Sequence, residues 1–123
     1  LVPDMAGTVP FSELLPADVA MRLAMTGESF TGERAAELGL ASGASADPLK
    51  DALALVELIV ERSPDSVAAT KKLMYANRHG SVRSAYRLER RLQARMFNSK
   101  NTAIARKAGT AKETPEFGPR TFG

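Results

Sequence analysis

The sequence contains no cysteine and no tryptophan, and it has a single histidine, His79. Without cysteine the chain can form neither a disulfide nor a thiolate metal site, which is compatible with a reducing cytosol. One imidazole also cannot supply the several ligands of a histidine-based zinc site. Every apolar run is shorter than the ~18–20 residues needed to cross a bilayer, and no signal-peptide pattern is present. These absences predict a cytoplasmic protein that does not enter a membrane.

The residues that are present have an ordinary globular composition but an uneven distribution of charge. The 123 residues are 44% hydrophobic and 25% charged, which fits at most one domain with a modest core. Residues 1–66 hold eleven acidic and four basic side chains, whereas residues 67–123 hold three acidic and thirteen basic ones. This polarity predicts that the basic half meets phosphate or an acidic surface on a partner subunit.

Apolar periodicity predicts five or six helices and almost no strand. The predicted helices are "TVPFSELLP", "PADVAMRLAMTG", "GERAAELGL", "PLKDALALVELIVERS", residues 64–77 and "VRSAYRLERRLQARMFN". Four of them follow good N-cap residues, namely Thr31, Asp47, Ser63 and Ser81. The segment from Ser99 is rich in lysine and arginine, then in glycine and proline, and is predicted to be a tail. "LASGAS" is predicted to be a weak edge strand or a loop.

The opening "LVPDMAGT" has the pattern of a strand end followed by a turn. A helical chain that begins in this way suggests the second half of a larger fold. "MTGESFTGERAAELGLAS", with "LVPDMAGT" before it and "SPDSVAATKKLM" after it, resembles the C-terminal half of the crotonase (enoyl-CoA hydratase/isomerase) family. The resemblance covers essentially the whole chain. It departs from the family at "ASGASADP", which replaces a hydrophobic strand, and in the tail "GTAKETPEF".

The resemblance implies a fold class and a division of the chain. The chain is expected to be mainly α as it stands, as the C-terminal helical portion of an α/β crotonase-type fold. Residues 1–8 would form a strand end and active-site turn, and residues 9–62 helices that pack on the core. Residues 63–98 would form the helices of the trimerisation region, and residues 99–123 the tail.

The resemblance also implies a function. Members of the family act on acyl-CoA thioesters by enolate stabilisation and proton transfer, as in the β-oxidation of fatty acids, with the coenzyme A thioester as substrate and no tightly bound cofactor. The N-terminal half of the family fold supplies the oxyanion-hole amides, so this chain alone is expected to be inactive. The implied partners are that N-terminal half and further copies in a homo-oligomer, a trimer or a dimer of trimers. Hydratase, isomerase and non-catalytic paralogue all stay open.

Three residues match functional positions of the family. Asp4 falls where double-bond isomerases and dehalogenases of the family carry an acidic residue, and in an apolar setting of Leu1, Val2 and Met5 it would shuttle a proton. The alternative is that Asp4 is a turn or N-cap residue. Phe97 and Lys112 match residues that contact the adenine end of a neighbouring subunit's coenzyme A. The alternative is a core phenylalanine at a helix end and a solvent-exposed lysine.

Arginines are concentrated on one predicted helix, where Arg83, Arg87 and Arg91 recur every four residues and share a face. Phosphate contact makes a nucleic-acid binder one hypothesis. Only Tyr86 interleaves with these arginines and no helix-turn-helix pattern accompanies them, so a solvated or inter-subunit face is favoured. A non-catalytic helical oligomerisation module is the remaining alternative. His79 is interpreted as a surface residue near a helix C-terminus.

Overall fold

The computed structural model describes residues 2–122. Over these residues the chain forms seven α-helices and no strand, which confirms the mainly α prediction. The helices are α1 (Thr8–Leu14), α2 (Ala17–Thr26), α3 (Gly32–Glu37), α4 (Pro48–Val60), α5 (Pro64–Asn77), α6 (Val82–Phe97) and α7 (Lys100–Ala111). The chain divides into two compact units, and the boundary between Asp51 and Ala52 falls inside α4.

The first unit is built on the pair α1 and α2, which bury Leu15 and Leu23. Helix α2 ends at Gly27, whose φ of 63° lies in the left-handed region that glycine adopts without a steric penalty. Helix α3 begins as the sequence predicts, because the Thr31 hydroxyl accepts a hydrogen bond from the Arg34 amide at 3.2 Å. Local capping chemistry therefore fixes the end of α2 and the beginning of α3.

The second unit packs α5 against both α6 and α7. Its core is a small cluster of Ala69, Leu92 and Phe122, to which Leu88 and Met96 add partly buried surface. Phe122, the last of the described residues, is buried in this core. The predicted caps Ser63 and Ser81 both accept a hydrogen bond from the amide three residues on.

Helix α7 is the main difference from the sequence analysis, which predicted a tail from residue 99. Ser99 is its N-cap and accepts a hydrogen bond from the Thr102 amide at 3.4 Å. The helix buries only the small side chain of Ala108 and the polar Asn101. Its apolar stripe is therefore weak in the sequence, and packing against α5 and α6 supplies the rest of its stabilisation.

No strand forms at the beginning of the described chain. Residues 2–4 have no regular secondary structure, and Val2 is exposed, where the sequence analysis expected the end of a buried strand. Leu1, which belongs to the same expectation, lies outside the described residues. A strand needs a neighbour to accept its backbone hydrogen bonds, and residues 2–122 offer none. "LASGAS" is also irregular, in agreement with the loop alternative.

Candidate functional site

Asp4 precedes a tight turn at the start of the first unit. The Gly7 amide donates to the Asp4 backbone carbonyl at 2.8 Å. Met5 and Ala6 lie inside the turn with φ of 50° and 59°, a left-handed conformation that costs a non-glycine residue about 1–3 kcal/mol. The expected turn is therefore present. Asp4 is not the N-cap of α1, because Gly7 holds that position.

An apolar pocket of about 290 Å³ lies beside this turn. It is lined by Pro3, Thr8, Phe11, Ser12, Leu15, Ala17, Ala20, Met21 and Ala24. Pro3 and Thr8 lie on either side of Asp4 in the sequence, but Asp4 itself is not part of the lining. Val2 and Met5, which were expected to surround Asp4, are exposed. The apolar surroundings come from α1 and α2 instead.

The Asp4 carboxylate has no hydrogen bond or ion pair to any residue between 2 and 122. Its side chain is exposed, and its part in the turn is made by the backbone carbonyl alone. The side chain is therefore available for chemistry without being needed for the local fold.

Phe97 and Lys112 lie at the two ends of α7 in the second unit. Phe97 is the last residue of α6, three positions before α7 begins, and its side chain is 65% exposed. Lys112 is the exposed C-cap of α7 and has a left-handed φ of 57°. The two residues therefore flank α7 in the sequence. Within the described chain the Phe97 side chain is exposed and not part of the core.

The most highly connected polar group of the described chain is Asp65, which the sequence analysis did not select. Asp65 lies in the first turn of α5 and has an exposed fraction of 0%. Its carboxylate accepts hydrogen bonds from the Ser99 hydroxyl at 2.5 Å and the Asn101 amide group at 3.1 Å. It also accepts from the Thr121 and Phe122 backbone amides at 2.6 and 2.8 Å and from the Thr121 hydroxyl at 3.0 Å.

These bonds fasten the beginning of α7 and the end of the chain to the beginning of α5. Asn101 adds a second connection, because its side chain accepts from the Gly118 amide at 2.9 Å and donates to the Pro119 carbonyl at 3.2 Å. We refer to Asp65, Ser99, Asn101 and Thr121 as the Asp65 cluster. The cluster positions α7, and with it Lys112. Its role is structural, since the carboxylate is buried and every partner is part of the same unit.

Two opposing effects act on the Asp65 carboxyl. Burial alone would raise its pKa, because a charged carboxylate loses hydration. The hydrogen bonds outweigh burial, that of Ser99 first and then those of Thr121, Phe122 and Asn101, so the pKa of Asp65 is held well below its usual range. The carboxyl is consequently ionised in the folded chain at any pH near neutrality.

This lowered pKa predicts a stability loss in acid. The pKa of this carboxyl is lower in the folded chain than in the unfolded chain, where it is about 3.9. The ionised carboxylate therefore stabilises the fold at pH values above about 3.9, and this stabilisation is lost as the pH falls below that value. We expect the free energy of unfolding to fall by up to ~1.4 kcal/mol for each pH unit below about pH 4. Urea unfolding followed by circular dichroism between pH 7 and 2 measures this slope. Other carboxylates also titrate in this pH range, so the control is Asp65→Asn. Its free energy of unfolding should depend less steeply on pH, and equal slopes in the two proteins would contradict the prediction.

Comparison with known proteins places the chain in a family. The family model for enoyl-CoA hydratase/isomerase matches residues 1–120. The chain belongs to this family. A curated relative, the probable enoyl-CoA hydratase of Bacillus subtilis (strain 168), is 30% identical over 120 residues, which are 95% of this chain and 46% of the relative.

Solved structures of the enoyl-CoA hydratase/isomerase family share the fold. Enoyl-CoA hydratase EchA1 from Mycobacterium marinum matches with a TM-score of 0.87 and 29% identity, over 96% of this chain and 49% of that one. A probable enoyl-CoA hydratase/isomerase from Mycobacterium abscessus matches with a TM-score of 0.83 and 31% identity, over 94% and 47% of the two chains. The chain therefore spans about half the length of the relatives it matches, and its fold is a helical portion of the crotonase fold.

Two kinds of feature are absent from residues 2–122. Within that range no group of histidine, aspartate and glutamate side chains has the arrangement of a metal site. None of the helices described is long and apolar enough to cross a membrane.

Proposed function

We propose that the chain forms part of an enzyme that acts on acyl-CoA thioesters by enolate stabilisation and proton transfer. The observation that carries this proposal is the match of the enoyl-CoA hydratase/isomerase model to residues 1–120, which include Asp4, Phe97 and Lys112. The chemistry requires a group that moves a proton next to the thioester and a site that holds coenzyme A. Amides that stabilise the enolate oxygen would come from a polypeptide that supplies the remaining half of the fold.

In this proposal Asp4 is the general acid/base. A carboxylate is suited to the role when it borders an apolar pocket and is not already engaged in an ion pair. Asp4 meets both conditions, since the pocket of about 290 Å³ begins at its neighbour Pro3 and no described side chain binds the carboxylate. The thioester's acyl chain would occupy the pocket, with its reacting carbon near the turn. The chain by itself would be inactive, because one carboxylate without oxyanion donors stabilises no enolate.

Phe97 and Lys112 would contact the coenzyme A of a neighbouring subunit in a homo-oligomer. An exposed phenyl ring offers a stacking surface for adenine, and an ammonium group at a helix end pairs with phosphate. Exposure of the Phe97 side chain, at 65%, supports this role over one in the core.

A chimera tests the coenzyme A contacts. Residues 1–120 would replace the 120 matched residues of the Bacillus subtilis relative, whose own N-terminal portion supplies the rest of the fold. In this chimera Phe97→Ala and Lys112→Ala are each expected to raise KM for an enoyl-CoA about fivefold to tenfold with little change in kcat, since loss of ground-state binding costs about 1–1.4 kcal/mol.

Steady-state hydration of the enoyl-CoA, followed by loss of its conjugated absorbance, gives both constants. Lys107→Ala, an exposed lysine of the same helix, is the matched control, and the isolated chain is the inactive reference. An unchanged KM in both variants would show that Phe97 and Lys112 do not contact coenzyme A. Turnover by the isolated chain would contradict the proposed need for a second polypeptide half.

A second candidate function is favoured by one observation. Helix α4 exposes seven large apolar side chains, which are Leu49, Leu53, Leu55, Val56, Leu58, Ile59 and Val60. A helix that is apolar all round is normally covered by other protein surface. The chain is therefore suited to assembly, and a non-catalytic oligomerisation module is the alternative if the chimera folds but does not turn over an enoyl-CoA.

A further inference from the structure

Lys112 has a backbone conformation that is unusual for its residue type. It is the C-cap of α7, with φ of 57° and ψ of 38°, in the left-handed region where the ends of helices commonly carry glycine. The backbone amides of Lys112 and Glu113 both donate to the Ala108 carbonyl, the second at 3.0 Å. A lysine is strained in this turn, so contacts elsewhere in the chain must hold the turn in place.

Asn101 supplies such a contact from the opposite end of α7. Its side chain is 2% exposed and lies in the first turn of the helix. The carboxamide oxygen accepts a hydrogen bond from the Gly118 amide at 2.9 Å, and the carboxamide nitrogen donates to the Pro119 carbonyl at 3.2 Å. Asn101 therefore holds the segment that follows Lys112 against the segment that precedes it.

The chain between Asn101 and Gly118 forms a closed loop that contains Lys112. Helix α7 runs from Asn101 to Ala111, a distance of about 15 Å, and residues 113–118 return to Asn101 without regular secondary structure. We call residues 102–117 the Asn101 loop. Closing a loop removes many of the conformations that its residues could otherwise adopt. The bonds at Asn101 therefore restrict the positions available to Lys112.

The point at which the Asn101 loop closes is itself attached to α5. The Asn101 carboxamide also donates to the carboxylate of Asp65 at 3.1 Å. The backbone amides of Thr121 and Phe122, just beyond the closing point, donate to the same carboxylate at 2.6 and 2.8 Å. Both ends of the loop are thus fixed at one buried carboxylate, and the loop moves with the core of the second unit.

This arrangement leaves the side chain of Lys112 available to a ligand. Lys112 is exposed, and its ammonium group forms no ion pair with any residue between 2 and 122. Even the adjacent carboxylate of Glu113 does not neutralise it. An unpaired ammonium group on a restrained backbone is suited to bind an anion such as phosphate.

We propose that Asn101 is a positioning residue for Lys112, and that the closed Asn101 loop presents the Lys112 ammonium group to the phosphates of coenzyme A. This inference rests on the proposed function, in which Lys112 contacts coenzyme A. A loop that is ordered before binding loses less conformational entropy when the ligand binds. Asn101 is buried and acts through Lys112, so its substitution should weaken the binding of coenzyme A and leave the chemical step unchanged.

The first test measures order at Lys112 in the 123-residue chain without ligand. Asn101→Ala removes both bonds that close the loop, and Gly118→Pro removes the Gly118 donor without changing Asn101. Hydrogen exchange, followed by NMR, is expected to become at least about tenfold faster at the Lys112 and Glu113 amides in both variants. Amides in the middle of α6 should keep their protection, which verifies that the unit stays folded.

Gly109→Ala is the matched control for both tests. It lies in α7, and a Cβ added at Gly109 meets no atom within 4 Å. Exchange at Lys112 and Glu113 should stay within about twofold of the unmodified chain, because the closing bonds at Asn101 are kept.

The second test is kinetic and uses the chimera with the Bacillus subtilis relative. Asn101→Ala is expected to raise KM for an enoyl-CoA about threefold to fivefold with kcat unchanged. KM for the same acyl group on pantetheine, a thioester without the phosphates and the adenine nucleotide, should not change. In a Lys112→Ala background Asn101→Ala should raise KM by less than about 1.5-fold, because the group that it positions is already absent.

Several results would overturn the proposal. Lys112 and Glu113 amides that stay protected in both variants would show that the closing bonds do not order Lys112. An equal rise of KM for both thioesters, or a full effect of Asn101→Ala in the Lys112→Ala background, would show that Asn101 acts on the fold in general.

Failure of the proposed function gives a different result. If Lys112→Ala leaves KM unchanged, the contact between Lys112 and coenzyme A is wrong, and the inference that depends on it is wrong as well. If Lys112→Ala raises KM and Asn101→Ala does not, the contact stands and only the positioning role of Asn101 is refuted.

Discussion

Replacement of Asp65 by alanine is expected to lower the free energy of unfolding by about 3–5 kcal/mol. The substitution removes one carboxylate but leaves several donors without an acceptor: the Ser99 hydroxyl, the Asn101 amide group and the Thr121 and Phe122 backbone amides. A buried donor that loses its partner costs about 1–3 kcal/mol. Thr121 is exposed and can recover a water, which keeps the total below the simple sum. The effect is large for a unit whose core is as small as Ala69, Leu92 and Phe122.

Two further variants identify the cause of this loss. Asp65→Asn keeps the shape and one acceptor oxygen but places a donor group among donors, so it should destabilise the chain by at least half as much as alanine does. Glu113→Ala removes an exposed acid of the same unit and should change stability by no more than about 0.5 kcal/mol. Urea unfolding at pH 7, followed by circular dichroism, measures all three. A loss of less than about 1 kcal/mol for Asp65→Ala would mean that the cluster holds together without its carboxylate.

The positions of Ser63, Ser81 and Thr31 show why helix beginnings were predictable from the sequence. Each is a hydroxyl residue that accepts a hydrogen bond from the amide three positions later. Such a cap depends on four consecutive residues, so the sequence contains all the information needed. The family motifs could be recognised in the sequence for a related reason. They form short turns and close-packed helices, which require glycine and alanine at fixed positions.

The Asp65 cluster could not be predicted from the sequence. The partners of Asp65 lie 34 to 57 residues away along the chain, and no local pattern connects them. In the sequence Asp65 is merely an acidic residue in the first turn of a helix, which the helix dipole already explains. Helix α7 was missed for the same reason, because its stability depends on contacts with α5 and α6 rather than on a strong apolar stripe of its own.

The surroundings of Asp4 could be predicted only in part. The turn at residues 5–7 follows from the sequence, whereas the apolar setting expected from Val2 and Met5 is not formed, since both side chains are exposed. The pocket comes from Phe11, Leu15 and other residues of α1 and α2, whose spacing indicated helices but not which side faces Asp4. Pairing of elements is a tertiary property, and it decides which side chains surround a functional group.

Substitution of Asp4 by asparagine in the chimera with the Bacillus subtilis relative is expected to lower kcat/KM by about 10²–10⁴, the usual contribution of a general acid/base. The geometry makes this substitution unusually informative. Asp4 contributes to the turn through its backbone carbonyl, which asparagine keeps, and its carboxylate binds no residue between 2 and 122. The fold therefore has no reason to change, and a loss of rate reports on proton transfer.

Hydration and double-bond isomerisation of enoyl-CoA substrates should be assayed side by side for this variant. Asp18→Asn, an exposed acid of α2 in the same unit, is the control and should retain full activity. Loss of isomerisation alone would assign Asp4 to an isomerase, since the carboxylate then moves a proton between carbons, whereas equal loss of both reactions would make it a shared acid/base. If both rates stay within about threefold of the parent, the expected 10²-fold minimum for an acid/base is not reached and Asp4 is only a turn residue.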